Sequence, residues 1–273
     1  MKLSLSVRIA ESYSDKKKSV LNLEKICENA KLSNYQGICM RPSQIGIENS
    51  KEEILKAYQI VTSNNLTVSM VTGDFDIPAN NELAGIAQRN ITPYIDLCKL
   101  LNSKLIRIAI KNLEDVKYTQ YACDEAKERG VNLVHQMHTG TMFETVDEAL
   151  KIVSKIKREN FGIVYEPANL ELCGQNYDKD AIKKLYPHIF NVYLQNQKIH
   201  PDGSNELHTW TRGKIRFDSV PVWVTSKIDF QHIINVFQKL NYTGFITIHQ
   251  SSPNKTLNSI KESAEYLRKL IKH

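Results

Sequence analysis

The chain has 273 residues, of which 41% are hydrophobic and 24% charged, a balance that excludes a disordered or fibrous protein. Its net charge of +6 is mild and its lysines are scattered. No basic stripe interleaved with aromatics marks a nucleic-acid surface, and no run approaches the roughly 20 apolar residues of a membrane helix. Cys27, Cys39, Cys98, Cys123 and Cys173 form no CxxC, and the first residues lack an apolar leader. These features predict a reduced, soluble, cytoplasmic protein.

Short apolar runs alternate with longer amphipathic ones. Strands are expected at residues 3–7, 37–40, 67–71, 105–109, 132–137, 161–165, 189–194 and 245–249. Helices are expected over 21–30, 52–62, a segment entered through Thr92-Pro93 and reaching 101, then 145–157, 230–240 and 257–271. The 145–157 stripe of Val146, Ala149, Leu150, Val153 and Ile156 has the 3.6-residue period of a helix buried on one side. Lys16-Lys17-Lys18 reads as a solvated helix start. Such an alternation calls for parallel strands joined by helical crossovers, in a closed barrel or an open doubly wound sheet. A dinucleotide-binding open sheet needs a glycine-rich turn after the first strand, and Arg8-Ile9-Ala10-Glu11-Ser12 has no glycine. The expectation is therefore one α/β domain over 1–273, a single (β/α)₈ TIM barrel, with an irregular elaborated loop at about 197–227.

In such a barrel the polar residues at strand C-termini are the candidates for chemistry. The fifth strand ends His135-Gln136-Met137-His138, with Gln136 and His138 on one face and His135 on the other. The sixth ends at Glu166 and continues to Asn169; the seventh presents Asn191, Tyr193 and Gln195 on one face; the eighth ends at His249. A carboxylate and imidazoles converging from separate strands suit divalent-metal binding or proton transfer. Arg8, Arg41, Arg107 and Lys111 lie on or after early strands, where they suit capture of an anionic substrate end or structural pairing with Glu11 or Asp74. Trp210, in the long loop, suits stacking on a sugar face, a lid or a subunit contact.

The stretches GVNLVHQMH (130–138), FGIVYEPANL (161–170), IFNVYLQN (189–196) and LNYTGFITIH (240–249) resemble the sugar phosphate isomerase/epimerase superfamily, the xylose isomerase-like TIM barrels. That group includes inosose dehydratase, hydroxypyruvate isomerase, ketose 3-epimerases and endonuclease IV. The resemblance covers the whole chain in order and spacing, with Asn241-Tyr242 where the family has Gly-Tyr.

The family holds Mn²⁺, Mg²⁺, Co²⁺ or Zn²⁺ through Glu, Asp, His and Glu on four strands. Those positions fall here on Gln136, Glu166, Tyr193 and His249, so only Glu166 keeps its charge. The resemblance leaves three readings open. Gln136, Glu166 and His249, helped by His138, form a rebuilt metal site; Glu166, His249 and His138 move protons without a metal; or the barrel only binds carbohydrate or serves as a subunit. The implied activity is isomerisation or epimerisation of a small carbohydrate or sugar acid, with dehydration of a keto-sugar or inosose-like substrate as the alternative. Arg8, Arg41, Arg107, Lys111, Asn169, Tyr193, Gln195 and Trp210 would hold the substrate. Neither a nucleic-acid nor a membrane partner is expected, and a homo-oligomer is compatible with the family.

Overall fold

The computed structural model describes residues 1–12, 15–72 and 85–272. In chain order the elements are β1 (Lys2–Ser6), α1 (Leu23–Leu32), β2 (Gly37–Met40), α2 (Lys51–Ser63), β3 (Thr67–Thr72), α3 (Ile86–Arg89), α4 (Thr92–Leu100), β4 (Leu105–Ile108), α5 (Glu114–Glu128), β5 (Asn132–Gln136) and α6 (Val146–Ile156). They continue through β6 (Phe161–Tyr165), α7 (Pro167–Leu172), α8 (Lys179–Leu185), β7 (Ile189–Leu194), β8 (Asn196–Ile199), β9 (Asn205–Thr209), β10 (Gly213–Val220), α9 (Phe230–Lys239), β11 (Phe245–Ile248) and α10 (Thr256–Lys272).

Eight parallel strands close into a barrel in the order β1-β11-β7-β6-β5-β4-β3-β2. Closure is made by β1, which pairs with β2 on one side and with β11 on the other, Ser4 lying opposite both Gly37 and Thr247. The expected TIM barrel is therefore the observed one, and each expected strand is present within a residue or two at its ends. The helices α3, α5, α7 and α8 were not anticipated. Residues 196–220, expected to be irregular, instead contain an antiparallel sheet of order β8-β10-β9. Residues 15–18 form a turn rather than a helix start.

Period-two alternation sorts the strand side chains into two layers. Outward residues such as Leu3, Leu5, Ile38, Ile106, Leu133, Ile163, Val192 and Ile248 pack under the helices in the main core. Inside the barrel, Cys39, Met70, Leu105, Val134, Val164 and Tyr193 form a second, smaller cluster. The inner layer also holds polar pairs, Ser4 Oγ to Ser69 Oγ at 2.7 Å and Thr247 Oγ1 donating to Asn191 Oδ1 at 3.0 Å. Paired in this way, these groups avoid the desolvation penalty of a lone buried polar atom. All five cysteines are free and buried, so each packs as a small apolar residue.

The helices are seated by local chemistry. Ser50 and Glu53 close a capping box on α2, and the Thr145 side chain accepts from Glu148 N at the start of α6. That helix buries Val146, Ala149, Ile152, Val153 and Ile156, its larger side chains each contributing roughly 1.5–3 kcal/mol. The chain turns from helix to strand through left-handed asparagines at Asn34, Asn65, Asn102 and Asn241, a conformation asparagine tolerates better than most residues. Asn241, at φ 54°, therefore adopts the backbone geometry for which a glycine would be the usual choice. Among the described residues no helix is long and apolar enough to cross a membrane.

Candidate active site

Because every barrel strand runs the same way, Arg8, Arg41, Arg107, Gln136, His138, Glu166, Gln195 and His249 gather at one rim. Above them lies a cavity of about 1240 Å³. Arg8, Lys16, Arg41, Arg107, His138, Asn169 and Gln195 line its barrel side. The β8-β10-β9 sheet supplies another wall through residues that include Ser204, Leu207, Phe217 and Asp218. The space is large for a single sugar, and its barrel side is mostly polar.

Glu166 follows β6 directly and is completely buried below this cavity. Its Oε2 accepts from Gln136 Nε2 and, at 2.8 Å, from Asn169 Nδ2. Its Oε1 forms no comparably well-aligned hydrogen bond and is one of the buried oxygens left open. Burial raises the carboxyl to about 7, against the opposing pull of Gln136, Arg8, Arg107 and Gln195. A carboxyl poised there can both take and return a proton near neutrality. Asn169 and Gln195 also belong to the cavity wall, so ligand access to Glu166 runs past these amides.

His249 is equally buried and is held on three sides. Its ring stacks on Tyr193 with centroids 3.8 Å apart and 11° between planes. Arg8 Nη1 lies 3.2 Å from Nε2, and Ser6 Oγ lies 3.1 Å from Nδ1. A guanidinium only donates, so Nε2 is the accepting nitrogen and Nδ1 carries the hydrogen. Burial, then Arg8, Arg41 and Arg107, hold the imidazole well below its ordinary value and keep it neutral. The Nε2 lone pair is thus committed to Arg8. Tyr193 directs its hydroxyl to Cys39 Sγ at 3.1 Å and is absent from the cavity wall.

His138 faces the cavity with a different tautomer. Its Nδ1 donates to Thr139 O at 2.8 Å, which leaves Nε2 as the unprotonated nitrogen. Burial and then Arg107 push it down to about 3. His135, on the outward face, stacks on Phe143 at 4.0 Å and is structural.

The cations are unevenly matched. Arg41 Nε meets Glu11 Oε1 at 2.6 Å in a buried ion pair. Arg8 and Arg107 form no ion pair with a carboxylate among the described residues. Lys16 is drawn down to about 7 by burial and then by Arg8, Arg41 and Arg107. Arg8 Nε and Arg41 Nη1 are buried donors without acceptors.

Of the residues expected at the site, Arg8, Arg41, Arg107, His138, Asn169 and Gln195 share the cavity wall, while Gln136, Glu166, Tyr193 and His249 lie beneath it. Lys111 and Trp210 are not in that wall. The backbone N of Lys111 donates to Asp115 Oδ2 at 2.7 Å, while Trp210 is 56% exposed at the β9–β10 turn. Asp74 lies outside the described residues. Lys16 was missed because a run of three lysines looks like a solvated surface, and the sheet wall because its few apolar residues lie within a mostly polar segment.

The donor set does not suit a divalent cation. Among the described residues no group of three His, Cys, Asp or Glu side chains is placed to hold one. Glu166 is the carboxylate of the barrel floor, Gln136 turns its amide N–H toward it, and the lone pair of His249 is taken by a guanidinium. A dication here would also face Arg8, Arg41, Arg107 and Lys16, which repel it.

The family model for the xylose isomerase-like TIM barrel matches residues 27–270. An inosose dehydratase of Clostridium perfringens is 25% identical over 150 residues, 54% of this chain and 49% of that protein. The chain thus spans about half the length of the curated relatives it matches. A probable 3-DHS dehydratase of Bacillus anthracis has the same fold, with TM-score 0.77, 15% identity and coverage of 98% of this chain and 99% of that one. A D-psicose 3-epimerase superposes with TM-score 0.70 at 12% identity and covers both chains fully, at 100% each. A xylose isomerase-like barrel from Mycobacterium smegmatis, solved in complex with magnesium, does so with TM-score 0.69 and 13% identity over 99% of this chain and 96% of that one.

Proposed function

The chain belongs to the xylose isomerase-like TIM barrel family, and from that premise we propose that it is an isomerase or epimerase of a small carbohydrate or sugar acid, working by proton abstraction next to a carbonyl. The observation that carries this reading is Glu166, a wholly buried carboxyl raised to about 7 beneath a large, mostly polar cavity at the strand C-termini.

Ionised Glu166 takes the proton from the carbon next to the carbonyl, and the C–H electron pair moves into an enolate. Gln136 and Asn169 fix the orientation of the carboxylate, and Gln195 is close enough to hold a substrate hydroxyl. Return of the proton to the former carbonyl carbon, while the hydroxyl proton of the first carbon passes to the former carbonyl oxygen, isomerises the sugar. Return of a proton from solvent in the cavity to the opposite face of the same carbon epimerises it, with His138 Nε2 available on the cavity side as a hydrogen-bond acceptor. His249 acts as a prop for Arg8 rather than as a base.

The same enolate can instead expel a hydroxide from the next carbon, and the inosose dehydratase relatives favour this second reading. Proton NMR in D₂O against a panel of ketoses, keto-acids and inososes tests both. Exchange of the hydrogen next to the carbonyl, lost in Glu166→Gln, supports the common step, and a product lacking one water selects dehydration. Absence of exchange on every ketose and keto-acid would overturn both readings and leave a carbohydrate-binding barrel.

A further inference from the structure

The cavity floor concentrates positive charge where a carbohydrate would have to lie. Arg8, Lys16, Arg41 and Arg107 converge on it, against Glu11, already bonded to Arg41, and Glu166 below the wall. Arg41 and Arg107 are only 4% and 3% exposed, so water relieves little of their mutual repulsion. Two guanidinium N–H donors, Arg8 Nε and Arg41 Nη1, are buried with no acceptor among the described residues. Among the described residues the cations gathered here outnumber the carboxylates that face them and leave donors open, an arrangement that suits an anion as the completing group.

We propose that this mouth binds the carboxylate or phosphate of an anionic carbohydrate directly through Arg8, Arg41, Arg107 and Lys16, the guanidinium of Arg8, propped on His249, standing where a divalent cation would otherwise be required. The proposal rests on the cavity being the active site and adds the class of its ligand and the absence of a metal requirement. Its chemistry is consistent: a bidentate guanidinium polarises a carboxylate or enolate oxygen as a cation would, without an acidic ligand set. The side chains of Arg8 and His249 depend on each other for this. The imidazole lone pair fixes one guanidinium N–H, and the Tyr193 ring fixes the plane of the imidazole. An anion held there would also offset the cations that add to burial in keeping His138 unprotonated.

Isothermal titration calorimetry on the full chain, after EDTA treatment and removal of the chelator, tests the proposal with inorganic phosphate, D-gluconate and D-glucose. Binding of phosphate or gluconate that weakens with added salt, with glucose inert, is the expected result. Phosphate alone identifies a sugar phosphate, and gluconate alone a sugar acid. Lys16→Met and Arg107→Gln should each weaken the bound anion by at least about tenfold. Lys16 sits in a surface turn, so its variant remains informative if Arg107→Gln fails to fold. Failure of both anions to bind, or binding that returns only when Mn²⁺ is added, would overturn it. Because binding is read without turnover, anion affinity with no deuterium exchange would leave this inference standing and remove the catalytic reading alone.

Discussion

Arg8 and His249, 241 positions apart in the chain, meet at 3.2 Å between a guanidinium Nη1 and an imidazole Nε2. The pairing assigns the tautomer of His249 and removes it from proton transfer near neutrality.

It follows that the His249 ring should not titrate between about pH 5 and pH 8, although an unperturbed histidine would. Nitrogen chemical shifts of the imidazole, assigned by comparison with His249→Gln, should report hydrogen on Nδ1 throughout that range. A midpoint near the ordinary histidine value would show that the Arg8 contact does not persist in solution.

Glu166 makes a two-part prediction. Solvent exchange should rise with pH through about 7, as the carboxyl becomes the base, and Glu166→Gln should lose on the order of 10²–10⁴ of it. Folding raises this group from 4.5 to about 7, so the native state holds the proton more tightly than the unfolded chain. The stability this confers is complete below its unfolded value and lost as pH climbs through about 7. Glu166→Gln cannot ionise, so its stability relative to the wild type should improve by roughly 2–3 kcal/mol between about pH 5 and pH 8. Paired thermal melts across that range would check the sign, and a constant difference would contradict it.

A second buried acid has a purely mechanical task. Glu144 accepts from Gly140 N at 2.6 Å and from Trp210 N and Thr211 N at 2.9 Å each, tying the β9–β10 turn to the loop after β5. Glu144→Gln replaces one accepting oxygen with a donor that faces N–H groups and should cost about 2–4 kcal/mol. The same change should increase proteolytic cleavage near Trp210. Unchanged protease resistance would mean the sheet is held by its other contacts.

Gly162 lies on β6, between β5 and β7, where a Cβ would sit 2.7 Å from His188 O and 2.8 Å from the Phe190 ring. Gly162→Ala should therefore destabilise by about 1–3 kcal/mol, the usual range for overpacking. Urea melts would show an earlier midpoint with an unchanged slope.

The barrel was legible in the chain because its strands are short, almost wholly buried apolar runs bounded by helical stripes. Phe161–Tyr165 and Ile189–Leu194 match their expected bounds. Helix α5 escaped notice because only Asp115, Thr119, Ala122, Cys123 and Ala126 are buried on it, too few large apolar groups to trace a stripe. In β10, Ile215 and Phe217 do alternate with Lys214, Arg216 and Asp218, but Ile215 alone of the strand is buried, and the signal was lost in a polar surrounding. The strand-end carboxylate and imidazoles were readable from position. The capture of His249 by Arg8 was not, because it joins the first strand to the last and depends on barrel closure.

The sheet of β8, β10 and β9 occupies one contiguous stretch of sequence, begins two residues after β7 ends, and is anchored at its far turn by the Glu144 carboxylate and by Thr211 Oγ1 donating to Cys173 O at 3.0 Å. The cavity wall that this sheet supplies is thus encoded in one contiguous segment. Grafting a different hairpin between Gln195 and Pro221 would redraw that wall while leaving Glu166 and the cationic floor in place, so the shape of the cavity can drift independently of its buried carboxyl in descendants of this fold.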